Sequence, residues 1–262
     1  MHHTSLAARC FRFQRTPALR LTQRLLVVAL LALAGGTATS GEPVIDEQFN
    51  SLERWEEIRF RGVERPSEYS IVEEEGRSLL RLESSAGGSA IVHGTPFDVY
   101  DYPVLEWRWR IHDTLAGGDL TTRDGDDYAV RLYVSFEYDP SRVGMGTRLE
   151  YALIRLFYGR YPPHAAVVYI WSNRRWPLAW YENPFTSRAR MLPLDQGPDR
   201  RMQWRVHRRN ILDDYREAFG EDPPRIARLA IMGDSDGTGE SSLAWIDWVR
   251  VGPPPSEEGR WE

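Results

Sequence analysis

The sequence predicts an all-β protein, a jelly-roll-like antiparallel β-sandwich with two short helical insertions. Three observations predict it. From Glu42 onward, short segments recur in which apolar and polar residues alternate; clusters of Gly, Pro, Asp and Asn separate them; and regular strand-helix-strand units are missing. At 262 residues, with 42% hydrophobic and 12% aromatic content, the chain has ample material for one core. No internal repeat, low-complexity block or linker divides it.

The first forty residues have a different composition. Arg9, Arg12, Arg15, Arg20 and Arg24 precede the apolar run 25–34, and the small residues of "GGTATSGEP" supply a cleavage site near Ser40. The expected organisation is a signal peptide over 1–40, a sandwich domain over 41–252 and a flexible tail over 253–262. Ten apolar residues are few for a membrane span, so no membrane insertion is expected after cleavage; a retained signal anchor is the rival reading. The expected location is exported and periplasmic.

Composition then excludes several chemistries. The one cysteine, Cys10, lies within the signal, so the mature chain has no disulfide, thiol nucleophile or Cys-ligated metal. All 33 basic residues are Arg, which removes Schiff-base, Lys-base and Walker-type chemistry. Five of them leave with the signal; the remaining 28 face 38 acids, a net charge of about −10 that disfavours nucleic acid and anionic membranes.

The elements follow in order. "YSIVEEE", "SLLRLES" and "AIVHGTPF" read as strands between turns. "VLEWRWRI" puts Leu105, Trp107, Trp109 and Ile111 on one side and Glu106, Arg108 and Arg110 on the other, since neighbours in a strand point oppositely. In "DYAVRLYVSF", Tyr128, Val130, Leu132, Val134 and Phe136 form the apolar face, while Asp127, Arg131, Tyr133, Ser135 and Glu137 face away. "TRLEYALIRLFYG" predicts a helix, with Thr147 and Glu150 as a capping box and Gly159 as its stop. "AVVYIWSN" is a strand that adds Tyr169, Trp171 and Asn173 to the polar face if they share its side. "MQWRVHRR" is another strand. "NILDDYREAFGEDPP" predicts the second helix, ended by Gly220, and "RIARLAIM" and "LAWIDWVRV" complete the strands.

Five motifs in fixed order, "GGDLTTRDGDDYAVRLYVSF", "YIWSN", "ENPFTSRARM", "RRNILDDYREAFGEDPP" and "IMGDSDGTGESSLAWIDWVRV", resemble a family of exported bacterial proteins catalogued as domain of unknown function 3047. The resemblance covers essentially the whole mature chain and implies no established activity and no catalytic residues. At a coarser level, "IDEQFN" and "AWIDWVRV" are similar to the opening and closing strands of carbohydrate-binding jelly rolls. That likeness implies that the two strands pair and can hold a structural calcium.

The candidate ligand-binding residues are Asp127, Arg131, Tyr133, Trp171, Asn173 and Arg188. An acid, a planar cation and a phenol in a row suit a saccharide, and the aromatics of "WSNRRWPLAWYENPF" can rest on sugar C–H faces or pack against each other. Arg188 can clamp a negative group on the ligand or merely balance acids. Asp127 has a plain alternative, an ion pair with Arg131.

A structural calcium is considered at Asp234, Asp236 and Thr238. The loop is no EF-hand, because Trp245 stands where the bidentate Glu belongs; a looser Asp-rich calcium loop and a solvated turn both fit. The expected function is non-catalytic binding of a saccharide or cell-envelope component. The alternatives are a polysaccharide-active hydrolase or lyase using Asp127 or Glu137, and a structural or interaction protein of the envelope. His93, His112, His164 and His207 show no metal-ligand spacing, and no Gly-x-Ser-x-Gly elbow occurs.

Overall fold

The structure, a computed structural model, describes residues 41–142, 144–146 and 163–255. The signal over 1–40, the helix expected from Thr147 to Gly159 and most of the tail lie outside the described residues.

In chain order the strands are β1 (Ile45–Glu47), β2 (Trp55–Arg59), β3 (Glu68–Glu74), β4 (Arg77–Ser85), β5 (Gly88–His93), β6 (Phe97–Asp98) and β7 (Val104–Ile111). They continue as β8 (Arg131–Phe136), β9 (Ala165–Ser172), β10 (Tyr181–Asn183), β11 (Thr186–Gln196) and β12 (Arg205–Asn210); after helix α1 (Ile211–Phe219) come β13 (Ile226–Asp234) and β14 (Ser241–Gly252). One sheet runs β12-β7-β14-β4-β3, with β1 also on β14. The other runs β10-β11-β9-β8-β13-β5-β2, with β6 also on β13. The expected sandwich is present, antiparallel apart from the parallel pair β9 and β11.

The opening and closing strands pair, Ile45 opposite Val251. Asp46 accepts from Gln48 and Arg250, and Asp247 accepts from Arg77 and Arg108, so guanidinium already compensates both carboxylates.

The two-residue period of each strand builds the core. Leu105, Trp107, Trp109 and Ile111 of β7 meet Leu132, Val134 and Phe136 of β8 and Val167, Tyr169 and Trp171 of β9 between the sheets. Trp107 lies 5.3 Å from Trp109 and 5.0 Å from Tyr169, centroid to centroid, which joins the two layers. Burying a large apolar side chain of this kind contributes roughly 1.5–3 kcal/mol.

Helix α1 closes one edge. Asn210 caps it by accepting from Leu212 and Asp213 N–H groups, Gly220 ends it at φ 73°, and Tyr215 packs edge-on against Phe136 at 4.6 Å. No described helix is long and apolar enough to cross a membrane.

The outer face of the second sheet is covered. Leu120 and Tyr128 pack there on Ala166, Val168, Ile170, Ala189 and Met191, so the segment 112–130 lies across β9 and β11. Asn173 pins that segment: its Nδ2 donates to the Asp127 carbonyl at 2.6 Å and its Oδ1 accepts from Leu115 N at 2.9 Å. This cover carries the acids of the "DGDD" turn.

Candidate functional site

The cover brings the "DGDD" turn against the turn that joins β13 to β14. Arg131, at the start of β8, is 2% exposed and lies between them. Its Nη1 donates to Asp126 Oδ2 at 3.2 Å; its Nη2 donates to the Asp126 carbonyl at 3.0 Å and forms a short contact with Asp234. Tyr128 and Tyr133 flank the guanidinium, with centroids 4.9 and 5.9 Å from its central carbon. The partner of Arg131 is thus not Asp127, as the alternation suggested, but the preceding acid and one from β13.

Asp127 instead accepts from the backbone N–H groups of Thr238 at 2.6 Å and Gly237 at 3.4 Å, tying the two turns together. Room for this requires glycine: a Cβ on Gly237 would stand 2.8 Å from the Asp124 carbonyl. Asp127, Asp234 and Asp236 each offer one oxygen within 4.8 Å of the others. Thr238 joins this group through its N–H, which donates to Asp127, while its hydroxyl accepts from Glu240 N.

Electrostatics follow from burial. Burial works against the charged form of Arg131, but Asp234, Tyr133 and Asp126 outweigh it and hold the group protonated. Burial pushes the Asp234 carboxyl up, with Asp127 and Asp126 adding to the push and Arg131 opposing it. Burial and then Asp127 push Asp236 up as well. One guanidinium is set against four carboxyls.

The other expected ligand residues separate. Arg131 stands opposite Ile170 and Leu132 opposite Tyr169, and paired residues share a face. Tyr169 and Trp171 therefore point into the inter-sheet core with Leu132, away from Arg131, and Trp171 is 1% exposed. Tyr133 does lie beside Arg131, with its hydroxyl on Met232 Sδ at 3.8 Å. Asn173 is buried in its pinning role. Arg188 donates to the His164 carbonyl at 3.1 Å, and Glu137 pairs with Arg228 at the surface.

The outward face of the first sheet holds what sequence reasoning missed. Arg110 on β7 stands opposite Trp245 on β14, which stands opposite Arg81 on β4, and Trp204 immediately precedes β12 beside Arg110. The Arg110 guanidinium is stacked by both indoles, 4.5 Å from each centroid, and Arg108 lies 4.7 Å from Trp204. Glu74 holds Arg110, Asp247 holds Arg108 and Glu83 holds Arg81. The result is a rung of alternating half-buried rings and anchored cations, with Val206, 58% exposed, on the next rung. The usable signal was the Glu106-Arg108-Arg110 alternation in β7, facing a second alternating strand that carries Trp245.

A third polar construction seals the edge between the sheets. Asp195, 3% exposed, accepts from Trp109 Nε1 at 2.8 Å, Arg205 Nε at 2.8 Å and His207 Nε2 at 2.6 Å. It ties β12 of one sheet to β11 of the other.

A family model described as "Protein of unknown function (DUF3047)" matches residues 53–250. No curated protein matches the chain. Among solved structures, the chain is similar to a Family 30 carbohydrate binding module, at 12% identity over 82% of this chain and 96% of that one, with a TM-score of 0.35. It is similar to the CBM22-1-CBM22-2 tandem of Paenibacillus barcinonensis Xyn10C, at 10% identity over 85% of this chain and 52% of that one, with a TM-score of 0.33. It is also similar to the metal-free lectin I-B4 from Griffonia simplicifolia, at 9% identity over 77% and 99% of the two chains, with a TM-score of 0.34. These scores are too low to assign a ligand.

Proposed function

The chain belongs to the family described as protein of unknown function (DUF3047), and we propose that it is exported to the periplasm and there binds a saccharide or another cell-envelope component without catalysis. The observation that carries this reading is the rung Trp204-Arg110-Trp245 on the outward face of the first sheet. A pyranose presents C–H faces that rest on indole rings, and hydroxyls that accept from guanidinium and donate to carboxylate. The three partner types lie side by side here, Trp245 and Arg110 on strands and Trp204 immediately before β12, so the rings are held before any ligand arrives. Asp127, Arg131 and Asn173 act in this reading as the scaffold that holds the cover on the opposite sheet. The basic and apolar pattern of residues 1–40 supports export.

The test is a panel of bacterial and plant polysaccharides, with both binding and glycan length recorded. The protein should retain at least one glycan at unchanged length, and Trp245→Ala should weaken that binding by about tenfold or more, about 1.4 kcal/mol. Undiminished binding in both Trp245→Ala and Trp204→Ala would remove this face as the site. Shortened glycan would make the protein an enzyme.

A further inference from the structure

The acidic nest between the two turns contains one observation that its internal bonds do not explain. Asp126 is 6% exposed, and its Oδ2 accepts from Arg131 and from Asn183 Nδ2 at 2.8 Å. Its Oδ1 is buried without any hydrogen-bond partner. This carboxyl belongs to the nest: the Arg131 nitrogen that bonds the Asp126 carbonyl also holds Asp234, and Asp126 acts electrostatically on both Asp234 and Asp236. An unmet buried acceptor costs about 1–3 kcal/mol, more when charged, and native proteins rarely tolerate one.

Three more carboxylates converge beside it. Asp127 and Asp234 are 3% exposed, and one oxygen from each lies within 4.8 Å of one from Asp236. Carboxylates cannot donate to one another when ionised, and Arg131 supplies a single positive charge. The space asks for a further cation.

We propose that this nest binds a calcium ion through the carboxylates of Asp127, Asp234 and Asp236, with the free oxygen of Asp126 turned to the ion or to a water on it. The donor set selects the metal. It is all oxygen, without His or Cys, which suits a hard cation rather than zinc. Calcium takes about six to eight oxygens in flexible geometry, whereas magnesium demands a near-ideal octahedron and keeps several of its waters, so a cluster of carboxylates drawn from two turns suits calcium. Calcium here would clasp the 112–130 cover to the β13-β14 turn, joining the two segments that Asp127 already bridges.

The experiment uses the purified protein stripped with EGTA and titrated with calcium chloride, following heat release and the thermal midpoint. One ion should bind with a dissociation constant of about 1 mM or tighter, and the midpoint should rise by several degrees. Asp236 is the exposed member, so Asp236→Asn should fold, keep the midpoint of the stripped protein and lose affinity by about tenfold or more. No heat and no shift at about 10 mM calcium would overturn the proposal. So would equal binding by Asp236→Asn, or an equal response to magnesium.

Discussion

At the scale of the residue, buried polar groups in this protein are positioned by the donors they meet. Asp195 is the clearest case: burial pushes its carboxyl up, but His207, Trp109 and Arg205 outweigh burial and hold it below its ordinary value of 3.8. A depressed folded pKa means that the unfolded chain takes up the proton first. The resulting stability is complete above the ordinary carboxylate range and is lost as pH falls below it. Asp195→Asn should therefore cost about 2 kcal/mol at neutral pH, because three donors lose a charged acceptor. The gap between the two proteins should close as pH drops under about 3.8. Urea midpoints at both pH values measure this, and an equal gap at both would show that the carboxylate charge is not its source. Close packing governs the pin at Asn173 in the same way. A Cβ on Gly118 would lie 1.8 Å from its Nδ2, so Gly118→Ala should destabilise by about 1–3 kcal/mol, read by the same midpoints.

At the scale of the element, local sequence explains what stays local. The helix read in "NILDDYREAFGEDPP" forms as α1 because its signals sit within the segment: Asn210 caps it and Gly220 takes the left-handed turn. Asn210→Ala should cost about 1 kcal/mol in a thermal melt, since two N–H groups lose their acceptor. Strand faces were equally legible where one side is core, as in β7 and the Leu132-Val134-Phe136 side of β8. Strand β11 was not, because Pro193 argues against a strand interior; the structure admits it at a register shift between Pro193 and Asp195. The site was less legible than the fold. Alternation correctly sent Arg131 and Tyr133 away from the inter-sheet core, but it cannot show that residues 112–130 return to cover that side. Pairing register, not composition, set Trp171 on the opposite face from Arg131. No site was read at Trp204 and Trp245, because their meeting across Arg110 depends on segments far apart in the chain.

At the scale of the whole molecule, the sandwich depends on a strand outside the span that defines its family. The match covers 53–250, yet β1 ends at Glu47 and pairs with β14. This first stretch enters the core rather than decorating it. Ile45 and Phe49 are 2% and 0% exposed, and Phe49 stacks on Trp55 at 5.9 Å. Phe49 does so at a φ of 52°, which is unfavourable for a residue with a side chain. Glu47 holds it there, accepting from Phe49 N at 2.9 Å with one oxygen and from Trp55 Nε1 at 3.2 Å with the other. Two fully buried apolar side chains contribute roughly 3–6 kcal/mol, before any strand hydrogen bonds are counted. Whole domains are stable by only about 5–15 kcal/mol. A chain beginning at Glu53 should therefore be at or near its unfolding threshold, whereas one beginning at Gly41 should unfold in a single cooperative step. Urea denaturation of the two, followed by tryptophan fluorescence, tests this. Equal midpoints would mean that β1 is an appendage and that the core closes without it; a lost or strongly lowered midpoint in the shorter chain would place the true edge of the domain before Ile45.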